Sequence, residues 1–92
     1  MRVPNILGPL GLCSVEKLSA SLARYRLVYP ATPSNSRWEE IVQLTETAGG
    51  WRWMVDGYST WGLQDTAEEA VSLAIEFVEA AHNLPSGVFT LA

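Results

Sequence analysis

The chain has one cysteine, one histidine and few charged residues. Its single cysteine and its lack of long apolar runs exclude several kinds of site and of protein. Cys13 has no second cysteine to pair with, so an internal disulfide and a cysteine-rich metal site are excluded. No apolar run approaches the roughly 20 residues that a membrane-spanning helix needs. Residues 1–13 are too broken for the apolar region of a signal peptide, being interrupted by Pro4, Gly8, Pro9 and Gly11. We therefore expect a cytoplasmic protein without a cofactor or metal.

What the sequence does contain is enough apolar material for one core. Hydrophobic residues make up 48% of the 92 positions, and four of them are tryptophans, which can each bury a large area. A chain of this length predicts a single domain over residues 1–92.

The net charge of −4 is unevenly distributed along the chain. Residues 1–37 hold five basic residues against one acidic residue, whereas residues 38–92 hold one against nine. An acidic total is the opposite of what a general nucleic-acid binder shows, so we do not expect direct nucleic-acid binding. Two interpretations remain open: ordinary solvated faces, or an acidic C-terminal half that meets a partner with a basic surface.

The first predicted element is a helix over residues 14–27, after an irregular lead-in over residues 1–13. Ser14 is a typical helix N-cap residue. The apolar residues that follow recur at helical spacing, namely Val15, Leu18, Leu22 and Tyr25.

Residues 38–63 predict a three-stranded antiparallel meander. The strands are Trp38–Thr47, Trp51–Val55 and Tyr58–Leu63, and the glycines in Gly49-Gly50 and Asp56-Gly57 mark the turns between them. Asp-Gly between strand formers is a strong signal for a two-residue hairpin turn.

The last predicted element is a helix over residues 66–83. Thr66 as N-cap with Glu69 three residues later forms a capping box, and Val71, Ile75 and Val78 lie on one apolar stripe. Residues 87–91 could add a short edge strand. The predicted fold is therefore α+β, in the order α-β-β-β-α, with both helices packed on one face of the meander.

The hairpin turns also predict which side chains share a face of the sheet. A two-residue turn at Asp56-Gly57 places Trp61 opposite Arg52 and away from Trp53. The helix-covered face is then expected to hold Val42, Leu44, Trp51, Trp53, Val55 and Tyr58, with Glu40 as a charged exception near the first strand's start. The opposite face collects Ile41, Gln43, Thr45, Arg52, Met54, Ser59 and Trp61.

That opposite face is the predicted partner-binding surface. We expect Ile41, Arg52, Met54 and Trp61 to form an exposed patch that docks a protein, because a large aromatic side chain left in water is typical of such sites. The acidic helix residues Glu76 and Glu79 are expected to steer a basic partner. A simpler interpretation of the pair Arg52 and Trp61 is a cross-strand stack without a binding role.

Two residues could serve catalysis. Cys13 is a candidate nucleophile, but no base is identifiable beside it in the sequence. His82 is a candidate base, although a histidine at a helix end is more often a polar cap near the helix dipole. The pattern favours structural roles for both and predicts that the chain is not an enzyme.

One segment resembles a known family. The run from Gly50-Trp51-Arg52-Trp53 through Gly62 to Asp65-Thr66-Ala67-Glu68-Glu69-Ala70 resembles the HicB-like antitoxin pattern of an aromatic strand, a glycine-containing strand and a D-T-x-E-E-A helix start. The acidic, motif-free α+β composition is also similar in kind to small phage-encoded inhibitors such as anti-CRISPR proteins. The predicted order α-β-β-β-α looks like a double-stranded-RNA-binding domain, but Glu68 and Glu69 replace its basic helix start.

These observations predict a non-enzymatic inhibitor or antitoxin-like protein that masks a site on a larger macromolecular partner, and phage or mobile-element origin fits this class. One alternative is a structural homodimer that pairs through the same outer face. A second alternative is a small enzyme that uses Cys13 or His82.

Overall fold

The computed structural model of the protein describes residues 2–92. It consists of a five-stranded antiparallel sheet, a separate two-stranded sheet and a single helix near the C-terminal end. The elements are β1 (Ile6–Leu7), a 3₁₀ turn (Pro9–Gly11), β2 (Ser14–Lys17), β3 (Leu22–Tyr29), β4 (Trp38–Thr47), β5 (Gly50–Val55), β6 (Trp61–Gln64), α1 (Ala67–Ala81) and β7 (Thr90–Leu91).

The predicted order α-β-β-β-α is wrong, because residues 14–27 form a β-hairpin and not a helix. Strand β2 pairs with β3 across a turn at residues 18–21, and β3 in turn pairs along its whole length with β4. Within β3, the buried residues Ala23, Tyr25 and Leu27 alternate with exposed arginines. This period of two is the strand signal, and it is stronger than the helical spacing of the four larger apolar residues.

The predicted meander is present as strands β4 to β6 in the larger sheet, whose order is β2-β3-β4-β5-β6. The first hairpin places Val42 opposite Val55 and Leu44 opposite Trp53, so these side chains share a face as expected. A turn does form at Asp56-Gly57, where the backbone N–H of Tyr58 donates to the carbonyl of Val55 at 3.1 Å, but the paired strands do not start beside it as predicted. The connection runs from Asp56 to Thr60, and β6 covers residues 61–64.

The longer connection displaces the third strand by two positions. Trp53 lies opposite Gly62 and not Thr60, and Met54 lies opposite Trp61. A displacement by two keeps every side chain on the same face, so the predicted separation of Trp53 from Trp61 holds. The expected room beside an indole also holds, although it is the ring of Trp53 that fills the space a Gly62 side chain would take.

The one helix, α1, begins and packs as the sequence predicts. The Oγ1 atom of Thr66 accepts a hydrogen bond of 3.1 Å from the backbone N–H of Glu69. Val71, Ile75 and Val78 are buried in the same cluster as Leu44, Trp53 and Val55. We call the sheet face beneath α1 the inner face, and the opposite one the outer face.

The two ends of the chain meet in the small sheet. Strand β1 lies in the segment predicted to be irregular, and β7 pairs antiparallel with it rather than with an edge of the meander. The backbone N–H of Ala92 also donates to the carbonyl of Asn5 at 3.0 Å. We call this pairing the terminal clasp.

Candidate interaction surface

The outer face carries a set of exposed side chains arranged in two neighbouring rows across four strands. In the first row the cross-strand neighbours are Arg24, Gln43, Met54 and Trp61, and in the second they are Leu22, Thr45, Arg52 and Leu63. With strands spaced about 4.8 Å apart, each row spans roughly 14 Å. We call the apolar and cationic members of these rows the outer patch: Leu22, Arg24, Arg52, Met54, Trp61 and Leu63.

The apolar end of the outer patch is strongly exposed. Trp61 has 61% of its surface in solvent, Leu63 has 47% and Met54 has 36%. Strand β6 is the edge of the sheet, and α1 packs on the other side, which leaves these side chains free. Apolar side chains clustered in water are unfavourable unless something covers them, so this end is the feature that points to binding.

The structure separates the six predicted partner-binding residues into three environments. Arg52, Met54 and Trp61 lie together on the outer face, with Ile41 half-buried one row away beside Arg26. Glu76 is exposed on α1, in the layer that covers the inner face, so it is not part of the same surface. Trp61 lies opposite Met54 rather than the predicted Arg52.

Glu79 is not the solvated acidic residue that the sequence predicted, since only 3% of its surface is exposed. Its Oε2 atom accepts a hydrogen bond of 3.1 Å from the backbone N–H of Phe89. The carboxylate therefore holds the C-terminal segment against α1. It lines, with Glu76, a cavity of about 180 Å³ between the helix and that segment.

Three arginines lie on the outer face: Arg24, Arg26 and Arg52. Among the described residues, Arg26 forms an ion pair with a carboxylate and the other two do not. Arg26 binds Glu39 through two hydrogen bonds of 2.6 and 3.0 Å, and Arg37 reaches the same carboxylate at 3.1 Å. These contacts hold the pKa of Glu39 below its usual range, chiefly through the hydrogen bond from Arg26. Among residues 2–92, no carboxylate lies within 4 Å of the guanidinium of Arg24 or Arg52.

The second cluster of polar groups surrounds Glu40 on the inner face. Its Oε2 atom accepts a 2.6 Å hydrogen bond from the hydroxyl of Tyr58 and lies 3.0 Å from Nε2 of His82. Donation to this carboxylate raises the pKa of the Tyr58 hydroxyl. The imidazole of His82 lies parallel to Trp38, with 3.6 Å between ring centres.

The two predicted candidates for catalysis are engaged in different contacts. His82 binds Glu40, whereas the sulfur of Cys13 contacts the backbone carbonyl of Val28 at 4.0 Å. Burial raises the pKa of the Cys13 thiol, although the Val28 contact partly offsets this effect. A raised pKa lowers the fraction of reactive thiolate at neutral pH.

Residues 2–92 contain no group of three or more His, Cys, Asp or Glu side chains placed to hold a metal ion. None of their helices combines the length and the apolar character that crossing a membrane requires.

Sequence reasoning missed three members of the outer patch. Leu22 and Arg24 were placed in the predicted helix over residues 14–27, although the alternation of Ala23 and Tyr25 with arginines is a strand signal. Leu63 lies two residues from Trp61 on the same strand, and this spacing was enough to place it on the outer face.

Comparisons with protein-family models, with curated proteins and with solved structures found no match to this chain.

Proposed function

We propose that this chain is a non-enzymatic protein that binds a larger macromolecular partner through the outer patch and masks a site on it. The observation that carries the proposal is the 61% exposure of Trp61 beside Leu63 and Met54. Tryptophan and arginine are the residues most often found at the energetic centre of protein interfaces, and the patch contains both. An inhibitor or antitoxin-like role is the form of this proposal that the sequence resemblance favours.

The compartment proposed for this activity is the cytoplasm, where a single free cysteine such as Cys13 stays reduced. The proposal assigns no chemical step to the Glu40 cluster. Its three polar side chains already satisfy one another, and together they connect β4, the connection before β6 and the end of α1. A structural role accounts for all of these contacts.

The test is affinity capture from native lysate, followed by calorimetry with the captured and purified partner. Trp61→Ala is expected to weaken binding by about 2 kcal/mol or more, the size typical of an interface anchor. Its thermal unfolding should stay close to that of the original chain, because the side chain is mostly in water.

Leu73→Ala is the matched control for this experiment. Leu73 is also an exposed apolar residue, with 37% of its surface in solvent, but it lies on α1. Its loss should leave partner affinity unchanged. Equal affinity of Trp61→Ala and the original chain would contradict the proposal, as would a partner that binds only through α1.

A further inference from the structure

We propose that the partner presents an acidic amphipathic helix to the outer patch, with carboxylates flanking a row of aliphatic side chains. This inference rests on the proposed docking role of the patch and adds the chemistry of what docks there. It departs from the basic partner that the acidic half of the sequence indicated, because the exposed apolar residues lie beside two arginines that form no ion pair among the described residues.

The cationic groups of the patch are available to a partner. Arg24 and Arg52 are both exposed and have no carboxylate within 4 Å among the described residues. Glu16 is the cross-strand neighbour of Arg24 on the edge strand β2, and within residues 2–92 it forms no ion pair either. Arginine donates two parallel hydrogen bonds to a carboxylate, so each unpaired guanidinium is a specific donor to an acidic side chain.

The spacing of the two arginines fits a helix. They lie two strands and one row apart, which places their Cα atoms roughly 12 Å from each other. Two turns of an α-helix cover about 11 Å. A helix lying across the rows could therefore offer one carboxylate to Arg24 and a second to Arg52, with its apolar stripe on Met54 and Leu63.

The composition of the patch favours a protein over a nucleic acid. Trp61 is the single aromatic ring in the outer patch, whereas Leu22, Met54 and Leu63 have no flat face on which a base could stack. Aliphatic side chains with flanking arginines instead match an acidic amphipathic segment.

A second copy of the same patch is a poor occupant on electrostatic grounds. In a twofold pairing of outer patches, both copies would bring Arg24 and Arg52 into one interface. The arginines of the two copies would repel each other, and Glu16, which lies beside Arg24 on β2, offsets part of this repulsion. A partner with several carboxylates therefore suits the patch better than a second copy does.

The experiment uses two synthetic helical peptides of about 20 residues as probes. Both carry the same leucine and alanine stripe, and the flanking positions are glutamate in one and lysine in the other. Anisotropy of a fluorophore on the peptide reports binding to the full chain. We expect the glutamate peptide to bind at least about tenfold more tightly than the lysine peptide, with an affinity that falls as salt is added.

Charge reversal tests the role of the two arginines directly. The double variant Arg24→Glu, Arg52→Glu should reverse the preference, so that the lysine peptide binds more tightly. Arg37→Glu is the matched control, because Arg37 lies before β4 and outside the patch. It should leave the preference for the glutamate peptide in place.

The outcomes distinguish this inference from the proposed function. The inference of an acidic partner is wrong if neither peptide binds, or if both bind equally and the double variant changes nothing. In that case, a partner captured from lysate that no longer binds Trp61→Ala would still support docking through the outer patch. Tighter binding of a single-stranded oligonucleotide than of the glutamate peptide would overturn the inference. So would a dimer, seen by light scattering, that Trp61→Ala dissociates.

Discussion

Glu40 occupies a position on the inner face that the alternating pattern of β4 reserves for an apolar side chain. Its carboxylate is tolerated there because Tyr58 and His82 both reach it, and only 14% of the side chain is exposed. A buried carboxylate without such partners would be costly. The residue that fits the pattern least is therefore satisfied by two residues that are distant from it in sequence.

His82→Ala tests whether this cluster serves structure or function. The change removes the stack on Trp38 and one partner of Glu40, so we expect the free energy of unfolding to fall by about 1–3 kcal/mol. Partner affinity should stay within about threefold, because His82 is assigned no role in binding or catalysis. Urea denaturation measures the first quantity and calorimetry the second.

Cys13→Ala is the companion variant, and its partner affinity should also stay within about threefold. The thiol contacts a backbone carbonyl and has a raised pKa, and the proposed function gives it no part in binding. Complete loss of function from either single change, with the fold intact by circular dichroism, would overturn the proposal of a non-enzymatic protein.

The strands were predicted correctly where glycines mark the turns between them. The boundaries of β4 were predicted correctly, and those of β5 to within one residue, since Gly49-Gly50 marks their connection. The hairpin of β2 and β3 was missed because its turn, residues 18–21, contains neither glycine nor proline. The helical spacing of the larger apolar residues was therefore followed, although Ala23, Tyr25 and Leu27 alternate with arginines.

The outer patch could be predicted in part, because the glycine-marked turns fix which side chains of β4 and β5 share a face. Trp61 and Met54 were placed on the correct face because a displacement of the third strand by two preserves parity. Arg24 could not be placed, since its strand was taken for a helix. Glu79 was misjudged because the stripe of α1 gives its position on the helix but not the C-terminal segment that covers it.

Ile75→Ala tests the packing of α1 on the inner face. The side chain is 5% exposed within the core cluster, so its truncation should reduce the free energy of unfolding by roughly 2–5 kcal/mol. Leu73→Ala, two residues away on the exposed side of α1, should cost far less. Equal losses for the two variants in urea denaturation would show that α1 does not pack as described.

The hydrogen bond between Glu79 and Phe89 connects α1 to the segment that leads into the terminal clasp. Phe89 is buried and packs edge-on against Trp38, so this segment closes one end of the core. The patch lies on the outer face, away from α1. Loosening the segment should therefore leave binding through the patch intact.

Glu79→Ala tests that separation. The backbone N–H of Phe89 loses its acceptor, and amide hydrogen exchange over residues 88–91 should become faster, while exchange in β4 and β5 changes little. Affinity for the partner should not change. Glu79→Gln keeps an oxygen acceptor and is expected to preserve most of the protection at Phe89, which separates the hydrogen bond from the loss of side-chain volume.

The strand order of the large sheet has a consequence for how quickly the molecule folds. Each strand from β2 to β6 pairs with its neighbour along the chain, so each pairing closes a short loop and loses little chain entropy. The terminal clasp is the exception, since it joins opposite ends of the chain and closes the longest loop. Refolding followed residue by residue should therefore be fast across the sheet and finish at Ile6 and Leu91.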